Sequence, residues 1–265
     1  MAKHVRAKKF LGQHFLKDES IAKRTADLVD NFEVPNWLEI GPGMGVLTKY
    51  LIEKPIQLQA IELDRDSVAY LAKEMPSLTV YSDDFLKVDL PTVFKESFGV
   101  IGNFPYNISS QILFKILENK EQVPAFAGMF QLEVAKRIAA GPNNKTYGIL
   151  SVLVQAFYNV KLEFEIPPTV FKPPPKVMSG VISGERIEQD IDWNVPMFFD
   201  VVKTAFQQRR KTLSNALKKF NIPKDLLLSN QMFKLRAENL TVEAFKALTA
   251  WIEEHKQDNG SVRVK

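Results

Sequence analysis

The sequence predicts an α/β fold followed by a small all-helical domain, on three observations. From Trp37 onward, short apolar runs alternate with helical stretches, the signature of a parallel sheet covered by helices. Two period-2 stretches, "YNVKLEFEI" and "KVMSGVIS", then add an antiparallel pair at one edge of that sheet. Beyond Glu188 the strand pattern stops and only helical periodicity remains.

The elements follow in order. "MAKHVRAKKF" is a basic arm that carries Lys3, Arg6, Lys8 and Lys9 with no acid. Residues 20–32 place Ile21, Ala22, Leu28 and Val29 at helical spacing and predict an amphipathic helix. The apolar runs 37–40, 58–61, 79–81, 100–102 and 126–130 predict the parallel strands, with a helix at 147–156 before the antiparallel pair. Between the two edge strands, "PPTVFKPPPK" is expected as an extended loop, because proline has no N–H for a ladder. Helices are expected at 196–207, 212–220, 224–228 and 242–255, and a frayed polar tail after that. The domains are therefore drawn as 1–188, with its arm at 1–16, and 189–265.

Composition narrows the chemistry. The 265 residues include no cysteine, which excludes disulfides, thiolate metal sites and cysteine nucleophiles. The three histidines stand far apart without metal-ligand spacing, so no metal site is expected. No apolar run is long enough to span a bilayer, so no membrane partner is expected, and the basic start leaves little to cleave as a transit peptide. A net charge of +4 is mild, but two local patches concentrate it: the arm, and the stretch with Arg209, Arg210, Lys211, Lys218 and Lys219.

"LEIGPGMGVLT" reads as strand, glycine turn and helix start, a place where a ligand approaches free backbone N–H groups. Its glycines fall at 41, 43 and 45; Val46 occupies the last position of a dinucleotide G-x-G-x-x-G, which argues against a nicotinamide or flavin enzyme. A phosphate-cradling G-x-x-x-x-G-K-[ST] is absent as well. Glu62 ends the next strand and can take both hydroxyls of a ribose, so Gly41, Gly43 and Glu62 suit an adenosine-bearing cofactor. In "VYSDDFL", Asp84 is an acceptor for an adenine amine or else a turn cap, with Asp83 the less favoured of the two.

The strand at 100–102 ends in "NFPY", which supplies two acceptors and an aromatic face. The exocyclic nitrogen of a nucleobase is a poor nucleophile because its lone pair is delocalised into the ring. Acceptors aimed at its N–H bonds counter that, and here they are the Asn103 side-chain oxygen and the Phe104 carbonyl. Pro105 fixes the turn and Tyr106 offers a stacking face for a base that has left its own stack.

With these residues in view, the sequence resembles the ribosomal RNA adenine dimethyltransferases, whose bacterial small-subunit members dimethylate two adjacent adenosines near the 3′ end of 16S rRNA. The resemblance runs through "KKFLGQHFL", "EIGPGMGVLT", "IELDRD", "SDDFLKVDL", "GNFPYNISSQI", "QLEVAKRIAA", "PPPKVMSGVI" and "QQRRKTLSNAL", in that order and over nearly the whole chain. It implies a Rossmann-like class I methyltransferase domain, S-adenosylmethionine as methyl donor, and a cytoplasmic, monomeric enzyme of small-subunit biogenesis. Carried over position by position, His14, Leu16, Gly41, Glu62, Asp84 and Asn103 would contact the cofactor, with Gln13 beside the pocket. Asn103, Phe104 and Tyr106 would hold the adenine for in-line attack on the methyl, and no general base is assigned. Lys8, Lys9, Arg209, Arg210 and Lys211 would meet rRNA phosphates. The family usually has leucine at position 104, and many members have asparagine at 14. The competing expectations are a 23S rRNA adenine methyltransferase of the antibiotic-resistance type and an assembly factor that acts mainly by binding.

Overall fold

The structure, a computed structural model, describes residue 8 and residues 12–256. In chain order its elements are β1 (Phe15–Leu16), α1 (Glu19–Ala26), β2 (Asn36–Ile40), α2 (Thr48–Leu51), β3 (Gln57–Ile61), α3 (Arg65–Glu74), β4 (Thr79–Tyr81), α4 (Leu90–Val93), β5 (Gly99–Asn103), α5 (Ser109–Glu118), β6 (Ala125–Gln131) and α6 (Leu132–Ile138). Then come α7 (Ile149–Gln155), β7 (Tyr158–Ile166), β8 (Phe171–Lys172), β9 (Ser179–Arg186), α8 (Val195–Gln207), α9 (Leu213–Ala216), α10 (Lys224–Ser229) and α11 (Val242–His255).

The chain forms two compact units. One takes residues up to 136 together with 157–187; the other takes 137–156 together with residues from 188 onward. The single boundary expected at 188 thus gives way to a chain that enters the second unit twice. The cause is α7, whose Leu150, Val152, Leu153 and Val154 are all buried and which packs on α8 and α11.

The first unit holds a seven-stranded sheet of order β4-β3-β2-β5-β6-β9-β7. The first five strands run parallel, and β9 lies antiparallel between β6 and β7, as the alternation and the period-2 stretches predict. The strand order reverses between β2 and β5, so a crevice opens beyond the carboxyl ends of β2, β3 and β5, where ligands of open α/β sheets bind. Strands buried on both faces read as apolar runs, and Trp37, Leu38, Val100, Ile101, Phe126 and Phe130 are examples. Each such side chain contributes roughly 1.5–3 kcal/mol by leaving water. Strand glycines make room for rings: a Cβ on Gly128 would lie 2.2 Å from the Phe104 ring, and one on Gly184 would lie 2.2 Å from Phe126.

The proline-rich segment departs from expectation. Phe171 and Lys172 pair antiparallel with Leu16 and Phe15, and the Lys17 N–H donates to the Val170 carbonyl at 2.8 Å. The ladder stops short of Pro173 and uses only residues that keep their N–H; Lys172, as the residue before a proline, is biased toward extended backbone. The helix expected at 20–32 is α-helical only to Ala26 and continues as a 3-10 turn over Asp27–Asn31.

In the second unit, Asn194 and Thr241 cap α8 and α11 by accepting from the Met197 and Ala244 N–H groups. The buried Tyr147 donates its hydroxyl to the Leu240 carbonyl at 2.9 Å, and Phe206 stacks on Phe245. The helix expected at 212–220 is α9 followed by a 3-10 turn, Lys218–Phe220, that stops at Asn221 in the left-handed region.

Candidate active site

The crevice encloses a cavity of about 250 Å³. It lies within the first unit and brings together Gln13, His14, Leu16, Gly41, Gly43, Glu62, Asp84 and the whole Asn103 to Tyr106 turn, all expected from the sequence.

The glycine turn after β2 is built on left-handed backbone: Gly41 and Gly43 have φ of 67° and 57°, conformations that a side chain would strain. Gly43 turns its N–H onto Glu62 Oε2 at 3.0 Å, while the Asp64 N–H donates to Glu62 Oε1 at 2.8 Å. Two backbone donors therefore fix this carboxyl at the end of β3. Burial, with the Asp64 charge adding to it, still holds its pKa above the usual carboxylate range. Asp84 follows β4 and accepts from the Leu86 N–H at 3.0 Å, so the turn-cap role is real; its Oδ2 lies 3.8 Å from the Lys87 Nζ, and the residue lines the cavity.

Glu39 is the residue that sequence reasoning missed. It lies inside β2, lines the cavity and is 1% exposed; its Oε2 finds no hydrogen-bond partner among the described residues. Burial, reinforced by the charge of Glu62, pushes its carboxyl up to about 8. The signal was an acid in the middle of the apolar run "WLEIG". Glu39, Glu62, Asp83 and Asp84 are the acidic side chains of the lining, Glu39 holding its proton at neutral pH, and the lining contains no lysine or arginine among the described residues. Such a wall suits a cationic ligand and would repel a phosphate-bearing one. The acid-lined cavity and an open cradle at Gly41, where a Cβ would meet nothing within 4 Å, fit the cationic S-adenosylmethionine.

At the end of β5, Asn103 donates its amide nitrogen to the His14 carbonyl at 3.2 Å, which keeps the amide oxygen as the acceptor. The Phe104 ring is fully buried and edge-on to Phe130, at 5.2 Å between centroids. Gly102 and Gly128, paired across β5 and β6, leave the room that this ring fills. The Phe104 ring is thus accommodated within the sheet. Tyr106 stacks with His14, at 5.6 Å between centroids and 28° between planes, and its hydroxyl is hydrogen-bonded to Ser179. His14 in turn donates its Nδ1–H to the Pro173 carbonyl at 2.8 Å.

The residues expected at rRNA phosphates fare unevenly. Lys8 is paired with Asp64 and Asp66, and its backbone N–H donates to Gln13 Oε1. Lys9 lies outside the described residues. In the second unit Arg209 is engaged by Glu238 at 2.7 Å, whereas Arg210 and Lys211 are exposed.

A model of the ribosomal RNA adenine dimethylases matches residues 4–256. The chain belongs to this family. Ribosomal RNA small subunit methyltransferase A of Flavobacterium johnsoniae is 54% identical over 94% of this chain and 97% of its own length. Its namesake from Bacteroides thetaiotaomicron is 51% identical over 95% and 96%. Among solved structures, a dimethyladenosine transferase from Plasmodium falciparum gives a TM-score of 0.79 at 25% identity, covering 92% of this chain and all of that one. The 23S rRNA methyltransferase ErmE gives 0.71 at 22%, over 90% and 99%, a likeness of fold. This dimethylase has the Rossmann-like class I methyltransferase fold, and S-adenosylmethionine is its methyl donor.

Proposed function

We propose that this dimethylase acts on the N6 amino groups of two adjacent adenosines near the 3′ end of 16S rRNA, in the small ribosomal subunit or its precursor. One observation carries the reading: the turn from Asn103 to Tyr106 opens onto the same acid-lined cavity as Glu62, so a base held at the turn meets the cofactor end of the sheet. Small-subunit methyltransferases that match over nearly their full length support the choice of subunit.

When bound, S-adenosylmethionine supplies an electrophilic methyl group on a positively charged sulfur. Glu62 takes the ribose hydroxyls and Asp84 the adenine amine of the cofactor, with Gly41, Gly43, His14 and Leu16 shaping the cavity and Gln13 at its margin. The Asn103 oxygen and the Phe104 carbonyl accept from the two N–H bonds of the target, which frees electron density on N6 for attack. Pro105 fixes the turn, and Tyr106 holds the flipped base flat; positioning and these acceptors do most of the work. The pocket must also admit an N6 that already carries one methyl, because two are added. The helical unit would choose the docking place on rRNA, with Arg209, Arg210 and Lys211 at phosphates. No helix among the described residues is long and apolar enough to cross a membrane. The enzyme is proposed to work as a monomer in the cytoplasm, where the small subunit is assembled.

The test is transfer of labelled methyl from S-adenosylmethionine to small subunits from cells lacking this modification, with large subunits and naked rRNA alongside, followed by nucleoside analysis. Dimethyladenosine in the small subunit supports the reading. Label in the large subunit alone points to the resistance-type reaction, and no label anywhere points to a binding factor.

A further inference from the structure

Ser179 opens β9 and is fully buried. Its backbone is in register with Gln131 on β6 and Ile166 on β7, so the strands on both sides fix its position. The preceding residue is tied as well, since the Met178 carbonyl accepts from the Leu132 N–H at 2.9 Å. From this rigid place the Ser179 hydroxyl reaches the hydroxyl of Tyr106, which lies 73 residues earlier in the turn after β5. Tyr106 is therefore held at two points: its ring lies against His14, and its far end is hydrogen-bonded to the sheet.

We propose that Ser179 is a positioning residue for methyl transfer, holding the Tyr106 ring at the angle at which it receives the target adenine. The proposal rests on the reading of Tyr106 as the base-stacking residue. A tyrosine on a turn can rotate about two side-chain bonds; a hydrogen bond at the tip of the ring removes most of that freedom. The phenol stays neutral, burial pushing its pKa further up, and each hydroxyl keeps its own proton, either of which can serve the bond between them. Tyr106 then acts on the base through its face, its hydroxyl being committed to Ser179.

The experiment compares full-length wild type, Ser179→Ala, Tyr106→Phe and the double variant on small subunits lacking the modification, reading kcat, KM, the dissociation constant for S-adenosylmethionine and thermal stability. Each single variant is expected to lose about threefold to tenfold in kcat, the worth of one hydrogen bond between neutral groups, with cofactor affinity unchanged. The double variant should be no slower than either single one, since both remove the same bond. A loss in Tyr106→Phe but not in Ser179→Ala would overturn the proposal, because the hydroxyl would then act on substrate directly. Losses that multiply, or lowered stability with kcat intact, would overturn it too. An inactive wild type would instead strike at the reading on which the proposal rests, and take the proposal with it.

Discussion

The two halves of the active site are held in different ways. At the cofactor end, Glu62 is fixed by backbone N–H groups of Gly43 and Asp64, its neighbours within 19 residues. At the target end, Asn103 meets the His14 carbonyl across 89 residues, Tyr106 meets Ser179 across 73, and His14 meets Pro173 across 159. A site built on local backbone is written in motif spacing. A site built on side chains from three distant segments is complete only once the sheet has assembled.

Breaking the local half should act on cofactor binding. Glu62→Ala is expected to weaken S-adenosylmethionine binding by roughly 10- to 100-fold, the worth of hydrogen bonds to a charged group, with little change in affinity for small subunits. Calorimetric titration of the cofactor checks this, and an unchanged dissociation constant would remove Glu62 from the ribose site.

On the target side, Gly128→Ala should cost roughly 1–3 kcal/mol of stability, since the added methyl strikes the Phe104 ring. Phe104→Leu in the same chain should return most of that, read as urea midpoints. Failure of the rescue would mean that the ring is not what fills the gap between β5 and β6.

Glu39 gives a pH-dependent effect. Its ordinary pKa of 4.5 is raised to about 8 on folding. Between those values the unfolded chain releases this proton while the folded one keeps it, so the contribution of Glu39 to stability is full below about 4.5 and is lost as pH rises toward about 8. Glu39→Gln should flatten this part of the stability profile of the ligand-free protein; an unaltered slope would place the carboxyl's pKa near its ordinary value.

The smallest effect distinguishes the basic residues. Arg210→Ala should lower the salt dependence of small-subunit binding by about one counterion, a slope change of ~0.7–0.9 in log–log form. Removing Lys8 should leave that slope nearly unchanged, because Asp64 and Asp66 already neutralise it. Equal slopes for both variants would erase the distinction between paired and exposed cations.

Much of this was legible in the sequence, for physical reasons. Parallel strands buried on both faces must be continuous apolar runs, and glycines at left-handed turns are nearly obligatory, so the sheet and Gly41 to Glu62 could be read directly. Phe104 was legible as a carbonyl acceptor at the site, but the space that Gly128 grants its ring was not, since β5 and β6 pair only in the fold. Ser179 looked like any small residue in an edge strand. The basic spacing of Lys8 suggested a phosphate contact, and nothing local showed that Asp64 and Asp66 would claim it. Helix α7 was read with the sheet because it precedes β7 in sequence, whereas its apolar surface packs on α8 and α11.

Catalysis turns on the end of β5, where Asn103 would hold the reacting nitrogen. The most direct test is the single-turnover rate of methyl transfer to unmodified small subunits by Asn103→Ala, measured beside its cofactor affinity. A fall in rate of about 100-fold or more, as for loss of a transition-state acceptor, with a dissociation constant changed only a few-fold, is the predicted result. A rate that survives the substitution, or one lost only in proportion to cofactor affinity, would contradict it.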